Sequence, residues 1–437
     1  MRLLPLLLAL LALLAQPLRA ATDIVEVTSP GGITAWLVQE PSIPMLAIEA
    51  HFQGGAVLDP DDKLGAANLM MALLEEGAGT YDAQGFAARA EELALRYGFS
   101  GGRDGVTVSA QMLTEFRAES VPLLALAVGE PRFDEDAVER VRAQALSGLQ
   151  SDRTDPNWLA GRAFSQALYP DHPYARPADG TVESVAALTP DDLRAAHRRS
   201  FARDRLTVGV VGDITPEALG PMLDRLFGAL PATGPALPPV AEIPDTGGLQ
   251  VIDFDAPQSV ARFGHAGIMR RHPDFLAAYV LNQVLGGGGF NSRLNEELRE
   301  TRGLTYGVST WLGSGDFGAM YGGALSTANA KMAEALALIR AEWARVAEQG
   351  ITQDELDAAK RYLTGSYALR FNGNARIAGG LVGLQRADLP ITYPDERNAL
   401  VEALTLDEVN AVARRLLKPE ALKVVVVGRP AGLEATQ

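Results

Sequence analysis

The sequence contains no cysteine and only five histidines among its 437 residues. Without cysteine the chain cannot form a disulfide, has no thiol nucleophile and offers no attachment point for a lipoprotein anchor. No two histidines lie three or four residues apart, as two metal ligands on one face of a helix would. We therefore interpret all of them as structural or surface residues: His51, His172, His197, His265 and His272.

Basic side chains are outnumbered by acidic ones. The 39 Lys and Arg residues against 54 Asp and Glu residues leave a formal net charge of −15. Such a surplus of negative charge repels phosphate groups, so nucleic acid and anionic membrane surfaces are not expected as partners. The hydrophobic content of 47% is ordinary for a globular protein, and the length is sufficient for two or three domains.

Long apolar runs are lacking after the first 20 residues. Within residues 1–20, Arg2 is followed by an apolar run over residues 3–15 and then by small residues near Ala20. The run is shorter than the roughly 20 residues that span a bilayer, so it predicts a cleaved secretory signal, with a membrane anchor as the alternative. We expect the mature chain to be soluble in the bacterial periplasm, without membrane association.

An internal repeat organises the rest of the chain. Residues Leu188–Gly212 and Leu404–Gly428 align without a gap, and each predicts a helix followed by a Val-rich buried strand. Thr189 and Thr405 are the expected helix caps. Residues 231–248 contain five prolines, which is typical of an extended linker. The predicted organisation is a signal over 1–20, an N-terminal half over 23–230, the linker over 231–248 and a C-terminal half over 249–430.

Both halves mix strand and helix patterns. This mixture predicts an α+β protein of two homologous domains, each a mostly antiparallel sheet with helices packed on one face, together forming a half-shell. Strands are expected near 24–29, 33–38, 46–53 and 106–111, and helices near 65–76, 83–97, 113–128, 134–151, 156–168 and 274–285.

Residues 285–308, LGGGGFNSRLNEELRETRGLTYGV, carry the clearest functional pattern. We expect a helix from about Asn291 to Thr301, ended by Gly303 in the left-handed conformation. The alternation of Leu304, Tyr306 and Val308 then predicts a strand. A tight turn of this kind allows Arg299, near the helix end, to approach Tyr306.

A guanidinium beside a phenol can hold a peptide carbonyl, or the oxyanion that it becomes during hydrolysis. The alternative is that Arg299 is a solvated helix residue paired with Glu296 or Glu300, and that Tyr306 belongs to the core. The glycine run before the helix would let two backbones approach closely. A phosphate-binding loop is disfavoured because no Lys follows in the required arrangement.

This segment resembles the insulinase/pitrilysin family of zinc peptidases, which share its Gly-rich turn, its SRL…LRE…GL-Y run and its Arg/Tyr spacing. The resemblance implies that Arg299 and Tyr306 contact substrate across a chamber from a zinc site. It also implies that the glycine run, Gly286, Gly287, Gly288 and Gly289, lies where the halves or the substrate meet. Phe290 departs from the family, which has small polar residues there.

The zinc half of the family pattern is degenerate. Zinc peptidases of this kind carry His-x-x-Glu-His on a helix. The matching stretch, GAANLMMALLEEG over residues 65–77, has Asn68, Met71 and Ala72 in place of the two ligands and the base. The third ligand, a Glu, is expected within residues 140–151, which contain no acid. We therefore predict no cofactor in this chain.

Two-chain members of the family divide the work, with zinc in one subunit and the Arg/Tyr pair in the other. The resemblance thus implies a non-catalytic, zinc-less subunit that joins a zinc-bearing paralogous subunit and acts on peptides, and that is inactive alone. A bound peptide is expected to add as a strand to a sheet edge. A homodimer is possible, and the alternative function is a peptide-binding or structural scaffold of the same fold.

Overall fold

A computed structural model describes residues 23–434, so the predicted signal over 1–20 lies outside the described residues. The strands are β1 Ile24–Thr28, β2 Thr34–Gln39, β3 Met45–Gln53, β4 Gly77–Ala78, β5 Tyr81–Asp82, β6 Arg96–Gly101, β7 Gly105–Leu113, β8 Leu206–Gly212, β9 Gly248–Ile252, β10 Gln258–Ala266, β11 Val308–Gly315, β12 Gly318–Ala328 and β13 Lys423–Val427.

The longer α-helices are Ala66–Ala72, Ala83–Glu92, Arg117–Gly129, Glu135–Asp152, Pro156–Leu168, Val182–Ala187, Pro190–Ser200, Pro216–Phe227, Phe275–Asn282, Met332–Gln349, Gln353–Gly365, Asn374–Arg386, Tyr393–Ala403 and Leu406–Leu416. Between residues 23 and 434, none of the helices has the length and apolar character needed to cross a membrane.

Two sheets of the same topology form the framework. The first has the order β1-β2-β8-β3-β7-β6, and the second has the order β11-β12-β10-β13-β9. In each sheet one neighbouring pair is parallel, β2 with β8 and β13 with β9, and the other pairs are antiparallel. Read from β2 and from β9, the two orders correspond strand for strand. The predicted α+β class with two related, mostly antiparallel sheets is confirmed.

The repeated segments occupy equivalent places in the two sheets. Thr189 caps the helix Pro190–Ser200 and Thr405 caps the helix Leu406–Leu416, and both make reciprocal capping boxes with the third helical residue. Each helix then leads into the strand that lies beside the parallel neighbour, β8 or β13. The predicted caps are therefore confirmed.

Some predicted boundaries are wrong. The helix expected over 83–97 ends at Glu92, Ala94 has a positive φ of 48°, and the following residues form β6. Pairing of β6 with β7 overrides the local helix preference. The helix expected over 65–76 stops at Ala72, and the one expected over 274–285 continues after Asn282 as a π-helix over Gln283–Gly287.

The two halves exchange one helix each. The helix Pro156–Leu168 packs against β10 and β13 of the second sheet, and the helix Asn374–Arg386 packs against β3 and β8 of the first. We call these two the exchanged helices. Side chains alternate across a strand, so Leu37 packs with the first half's own helices while Trp36 packs with Leu381 of the exchanged helix. Each sheet is thus covered on its second face by the other half.

The segment predicted as a linker, 231–248, contains no helix or strand before β9 begins at Gly248. It is packed rather than free. Leu237, Ala241 and Ile243 lie against the cluster that contains Phe164, and the backbone N–H of Ala241 donates to the carbonyl of Phe317 at 2.7 Å. These contacts hold the connection between the halves against both of them.

Gly209 on β8 tests how tightly an exchanged helix is seated. A Cβ atom at this buried position would lie 2.4 Å from the carbonyl oxygen of Ala378. We expect Gly209→Ala to lower the free energy of unfolding by about 1–3 kcal/mol, because the helix backbone must move away from the sheet. Gly380→Ala is the control, since a Cβ there meets no atom within 4 Å. Denaturant unfolding that ranks the two variants equally would contradict the tight seating.

Candidate functional site

The predicted Arg/Tyr segment is a compact helical turn followed by an irregular loop. The helix begins at Arg293, two residues after the expected Asn291, and from Glu296 to Thr301 it is a π-helix. Gly303 has the predicted left-handed conformation, with a φ of 58°. Its N–H donates to the carbonyl of Arg299 at 3.0 Å, and this bond closes the helix end.

The strand expected from Leu304 is wrong, because β11 begins only at Val308. Instead, side chains tie the loop to the end of β12. Thr305 Oγ1 donates to the carbonyl of Ser326 at 2.8 Å, and the hydroxyl of Thr327 donates to the carbonyl of Leu304. These bonds keep the loop from extending as a strand and fix the direction in which Tyr306 leaves the backbone.

Arg299 and Tyr306 line the same surface cleft, which has a volume of about 520 Å³. Lys331 also lines it, and its ammonium donates to the carbonyl of Gly303 at 2.8 Å. The cleft therefore presents two cations and a phenol along a wall formed by the end of β12. Carbonyl oxygens and developing oxyanions are the groups that such donors stabilise.

Tyr306 is not part of the core, because its side chain is 90% exposed. Arg299 is held in two ways. Its Nη1 lies 2.6 Å from a carboxylate oxygen of Glu300, and its guanidinium lies 4.0 Å from the centroid of the Phe290 ring. The pairing with Glu300 that belonged to the alternative interpretation is thus present, whereas the other part of that alternative, a buried Tyr306, is wrong.

Phe290, a departure from the family pattern, contacts Arg299 in the candidate site. It is 63% exposed and forms the aromatic face on which Arg299 stacks. A cation above an aromatic ring is attracted by the electron density of the ring face. Phe290 therefore links the end of the glycine run to Arg299, and Lys331 is a cleft residue that the motif did not indicate.

The glycines themselves do not line the cleft among the described residues. Gly286 is buried against β11, where a Cβ would lie 2.5 Å from Thr310 Oγ1, and Gly287 is similarly close to Asn282. Gly288 lines a separate small cavity with Arg293, Glu355 and Tyr362. The close backbone approach is therefore present, and it serves packing within this half.

The degenerate zinc segment lies on the helix Ala66–Ala72, at a second cleft of about 310 Å³. Asn68 and Ala72 face the helix Glu135–Asp152 across this cleft, where Gln144 and Gly148 lie. Thus the helix that carries residues 140–151, the range in which the third ligand is expected, lines this cleft. Met71 is 1% exposed and belongs to the core cluster of the first half.

Asp59 orients this helix. Its carboxylate accepts hydrogen bonds from the N–H groups of Gly65 and Ala67, and it lies 3.6 Å from a guanidinium nitrogen of Arg199. Burial raises the pKa of Asp59 to about 6, and the two N–H groups and Arg199 oppose that shift. The carboxylate is committed to the helix start.

These residues do not fit a zinc ion. The amide Nδ2 of Asn68 donates to a carboxylate oxygen of Asp179 at 2.6 Å, and the side chain of Ala72 has no atom that could bind a metal. The opposite helix offers Gln144 and Gly148, and among the described residues only one carboxylate, Asp152 at its end, lines the cleft from that side. Zinc in proteins is held by imidazole, thiolate and carboxylate groups. Over residues 23–434 no group of three or more His, Asp or Glu side chains is placed to hold a metal.

Two family models match consecutive parts of the chain. The family described as "Insulinase (Peptidase family M16)" matches residues 36–182, and the one described as "Peptidase M16 inactive domain" matches residues 187–363. A crystal structure of a peptidase M16 inactive domain from Pseudomonas fluorescens has a TM-score of 0.89 and 29% identity, and it covers 95% of this chain and 100% of its own.

Two curated relatives have similar levels of identity. The non-peptidase homologue YmxG of Helicobacter pylori is 28% identical over 84% of this chain and 85% of its own length. An uncharacterized zinc protease of Mycobacterium leprae is 28% identical over 91% of this chain and 90% of its own length. Relatives at this distance thus include proteins named as proteases and a protein named as a non-peptidase.

Proposed function

This chain belongs to the insulinase family of peptidases, M16, and we propose that it is the zinc-less subunit of a heteromeric peptidase of that family. In this proposal a zinc-bearing paralogous subunit cleaves peptides, and this chain supplies Arg299 and Tyr306 to the shared chamber. The proposed compartment is the periplasm, on the basis of the secretory pattern over residues 1–20.

The proposal rests on one observation: the hydrogen-bond donors of the cleft are in place, whereas the residues at the expected metal position cannot bind a metal. Arg299 and Tyr306 line one cleft with Lys331, and the phenol is almost fully exposed. At the other position Asn68 is bonded to Asp179, and neither Met71 nor Ala72 can act as a base or a ligand. A chain with positioning groups and no place for the metal needs a second subunit for hydrolysis.

The chemistry of such a pair is divided between two walls. Zinc, when bound in the partner, activates water and polarises the scissile carbonyl. On this chain the guanidinium of Arg299 and the hydroxyl of Tyr306 would donate to the substrate backbone and to the oxygen on which charge develops. Arg299 is held in place by Phe290 and Glu300 before substrate arrives, so little ordering of this side chain is required on binding.

Reconstitution tests the division of labour. The chain and its zinc-bearing paralogue from the same organism are purified separately, and cleavage of a mixed peptide library is measured for each alone and for the mixture. We expect cleavage only in the mixture, with complete loss after chelation of the metal. Cleavage at the full rate by the paralogue alone would contradict the proposal.

The non-peptidase name of the Helicobacter pylori relative favours a second candidate, a peptide-binding or structural protein of the same fold. The same experiment separates the two. A chain that retains peptides and forms a stable complex, but gives no cleavage with any M16 paralogue of its organism, would support the second candidate.

A further inference from the structure

A fourth cavity, of about 300 Å³, lies beside the degenerate metal position and is rich in arginine. It is formed by the exchanged helix Pro156–Leu168, the turn before β7 and the loop around residue 177. We call it the arginine cavity and define it by Arg103, Arg162, Arg176 and Trp158. Neither the Arg/Tyr pair nor the family motif accounts for it.

The three guanidiniums differ in how their charge is balanced. Arg176 is neutralised and anchored, since its Nη1 lies 2.7 Å from a carboxylate oxygen of Asp61 and its Nη2 donates to the carbonyl of Val57 at 2.8 Å. Arg162 has only a neutral acceptor, the carbonyl of Ala175. Its charge therefore has no carboxylate partner among residues 23–434.

Arg103 is the least satisfied of the three. Its side chain makes no hydrogen bond or ion pair within the described part of the chain, and its buried Nε has no partner. The guanidinium lies 5.1 Å from the centroid of the Tyr174 ring. The neighbouring carboxylate of Asp104 is occupied, because it accepts from the hydroxyl of Tyr174 and from the N–H of Asp316.

Arg103 and Arg162 make no direct ion pair with any described residue and are balanced only by the nearby carboxylates of Asp104 and Asp179. A further anion that bonded to both would therefore stabilise them. Burial, and then the charge of Arg103, lower the pKa of Arg162, as expected for neighbouring like charges in a partly dry site. Guanidinium groups match carboxylates in shape and can donate two parallel hydrogen bonds. Trp158 adds an apolar wall that would exclude water from such a pair.

The position of the cavity indicates where the anion would come from. Asp179 lines both the arginine cavity and the cleft at Asn68, and it accepts the hydrogen bond from Asn68. A peptide lying along the cleft at Asn68 could therefore extend one group past Asp179 into the arginine cavity. An anionic group on that peptide would pass the carboxylate of Asp179 and meet Arg103 and Arg162, which line the same cavity.

We propose that Arg103 and Arg162 form a carboxylate-binding subsite that selects peptides with an acidic side chain or a free C-terminus next to the degenerate metal position. The identity of the ligand as a peptide rests on the proposed function. Binding of the carboxylate itself does not, since every group in the subsite belongs to this chain.

Calorimetric titration of the purified chain, without any partner, tests the subsite. Three versions of an eight-residue peptide are compared: one with a central Glu, one with Gln at the same place, and one with Gln and an amidated C-terminus. We expect the carboxylate that occupies the cavity to strengthen binding by about tenfold or more, as charged hydrogen bonds do. The first two peptides identify an acidic side chain, and the last two identify the C-terminus. Titrations with inorganic phosphate and with acetate show whether the cavity binds small anions that are not part of a peptide.

Arg103→Gln should remove the preference without unfolding the chain, because it also relieves the repulsion of Arg162. Arg153→Gln is the matched control, since it removes the same charge from a guanidinium paired with Glu183 on the surface. Equal affinities for all three peptides, or binding of phosphate and acetate without any peptide preference, would overturn the subsite. If Arg103→Gln does not fold, the affinities of the wild-type chain for the three peptides still test the subsite.

The two proposals fail separately. Loss of the peptide preference would remove the subsite and leave the division of labour with a zinc subunit intact. Absence of cleavage in the reconstituted mixture would remove the division of labour and leave carboxylate binding by this chain intact.

Discussion

Replacement of Tyr306 by Phe should slow peptide cleavage by the reconstituted pair by about 10²-fold, the size of effect seen when one donor to an oxyanion is removed. The hydroxyl is the only atom lost, and the side chain is 90% exposed, so packing and stability should not change. Arg299→Gln should have an effect of similar size, because it removes the charge that Phe290 and Glu300 hold in place. Steady-state kinetics on a fixed peptide, with the wild-type zinc subunit in excess, measure both.

Two controls keep this result specific. Arg302→Gln removes a guanidinium three residues further along, which pairs with Glu297 at 2.9 Å and does not line the cleft. Tyr362→Phe removes a hydroxyl from another exposed tyrosine, which lines a different cavity. Both should leave kcat/KM within about twofold of the wild-type value, since exposed groups away from a site contribute little.

The double variant adds a further check. If Arg299 and Tyr306 act on one oxygen, Arg299→Gln with Tyr306→Phe should be little slower than the more severe single variant, because residues that act as a unit are not additive. Independent, multiplying losses would instead indicate two separate contacts along the peptide. Unchanged cleavage in both single variants would contradict the role assigned to the cleft.

Local patterns were sufficient to predict much of the fold. Thr189 and Thr405 predict the starts of their helices. A capping hydroxyl and an acid three residues later accept hydrogen bonds from the first backbone N–H groups, whatever the rest of the fold. Gly303 predicts the end of its helix for a similarly local reason, since few other residues adopt a positive φ at low energetic cost. Such signals depend on neighbours within a few residues.

Features that depend on distant residues could not be predicted in this way. The strand β6 forms because β7 offers a partner, although its sequence follows a helix without an obvious break. The exchanged helices have ordinary amphipathic patterns, and these patterns do not indicate which of the two sheets each helix packs against. Tyr306 looked suited to a strand, but hydrogen bonds from Thr305 and Thr327 hold its segment as a loop.

The candidate site divides in the same manner. The absence of ligands at Asn68, Met71 and Ala72 could be read directly, because a zinc ion requires particular atoms whatever the fold. The contributions of Phe290 and Lys331 could not be predicted, since neither is marked by spacing. Tertiary packing places Lys331 in the cleft and the ring of Phe290 against Arg299. The arginine cavity could not be predicted either, because its residues come from three separate segments of the chain.

Asn295 ties together the backbone around the segment that carries Arg299 and Tyr306. It is 2% exposed and stands between the glycine run, the short helix and β11. Its Nδ2 donates to the carbonyls of Gly289 and Val308, at 2.9 and 2.7 Å, and its Oδ1 accepts from the N–H of Val308 at 3.2 Å. One side chain therefore fixes the backbone on either side of the segment that carries Arg299 and Tyr306.

Asn295→Leu keeps the approximate volume and removes all of these bonds. The N–H and carbonyl of Val308 would stay buried without their side-chain partner, so we expect the free energy of unfolding to fall by about 3 kcal/mol. Asn291→Leu, at an exposed position four residues earlier, should change it by less than about 0.5 kcal/mol. The two free energies of unfolding are measured by denaturant titration. They can be compared directly if both variants show the same dependence of the free energy on denaturant concentration.

Catalysis separates a positioning role from a purely structural one. Under conditions where Asn295→Leu remains folded, cleavage by the reconstituted pair should still fall by about tenfold or more, because a displacement of one ångström is enough to misplace a catalytic group. Asn295→Asp, whose carboxylate can still accept from the N–H of Val308 but cannot donate to the carbonyls of Gly289 and Val308, should also be slower than the wild type. A folded Asn295→Leu chain with unchanged kcat/KM would show that Arg299 and Tyr306 keep their places without it.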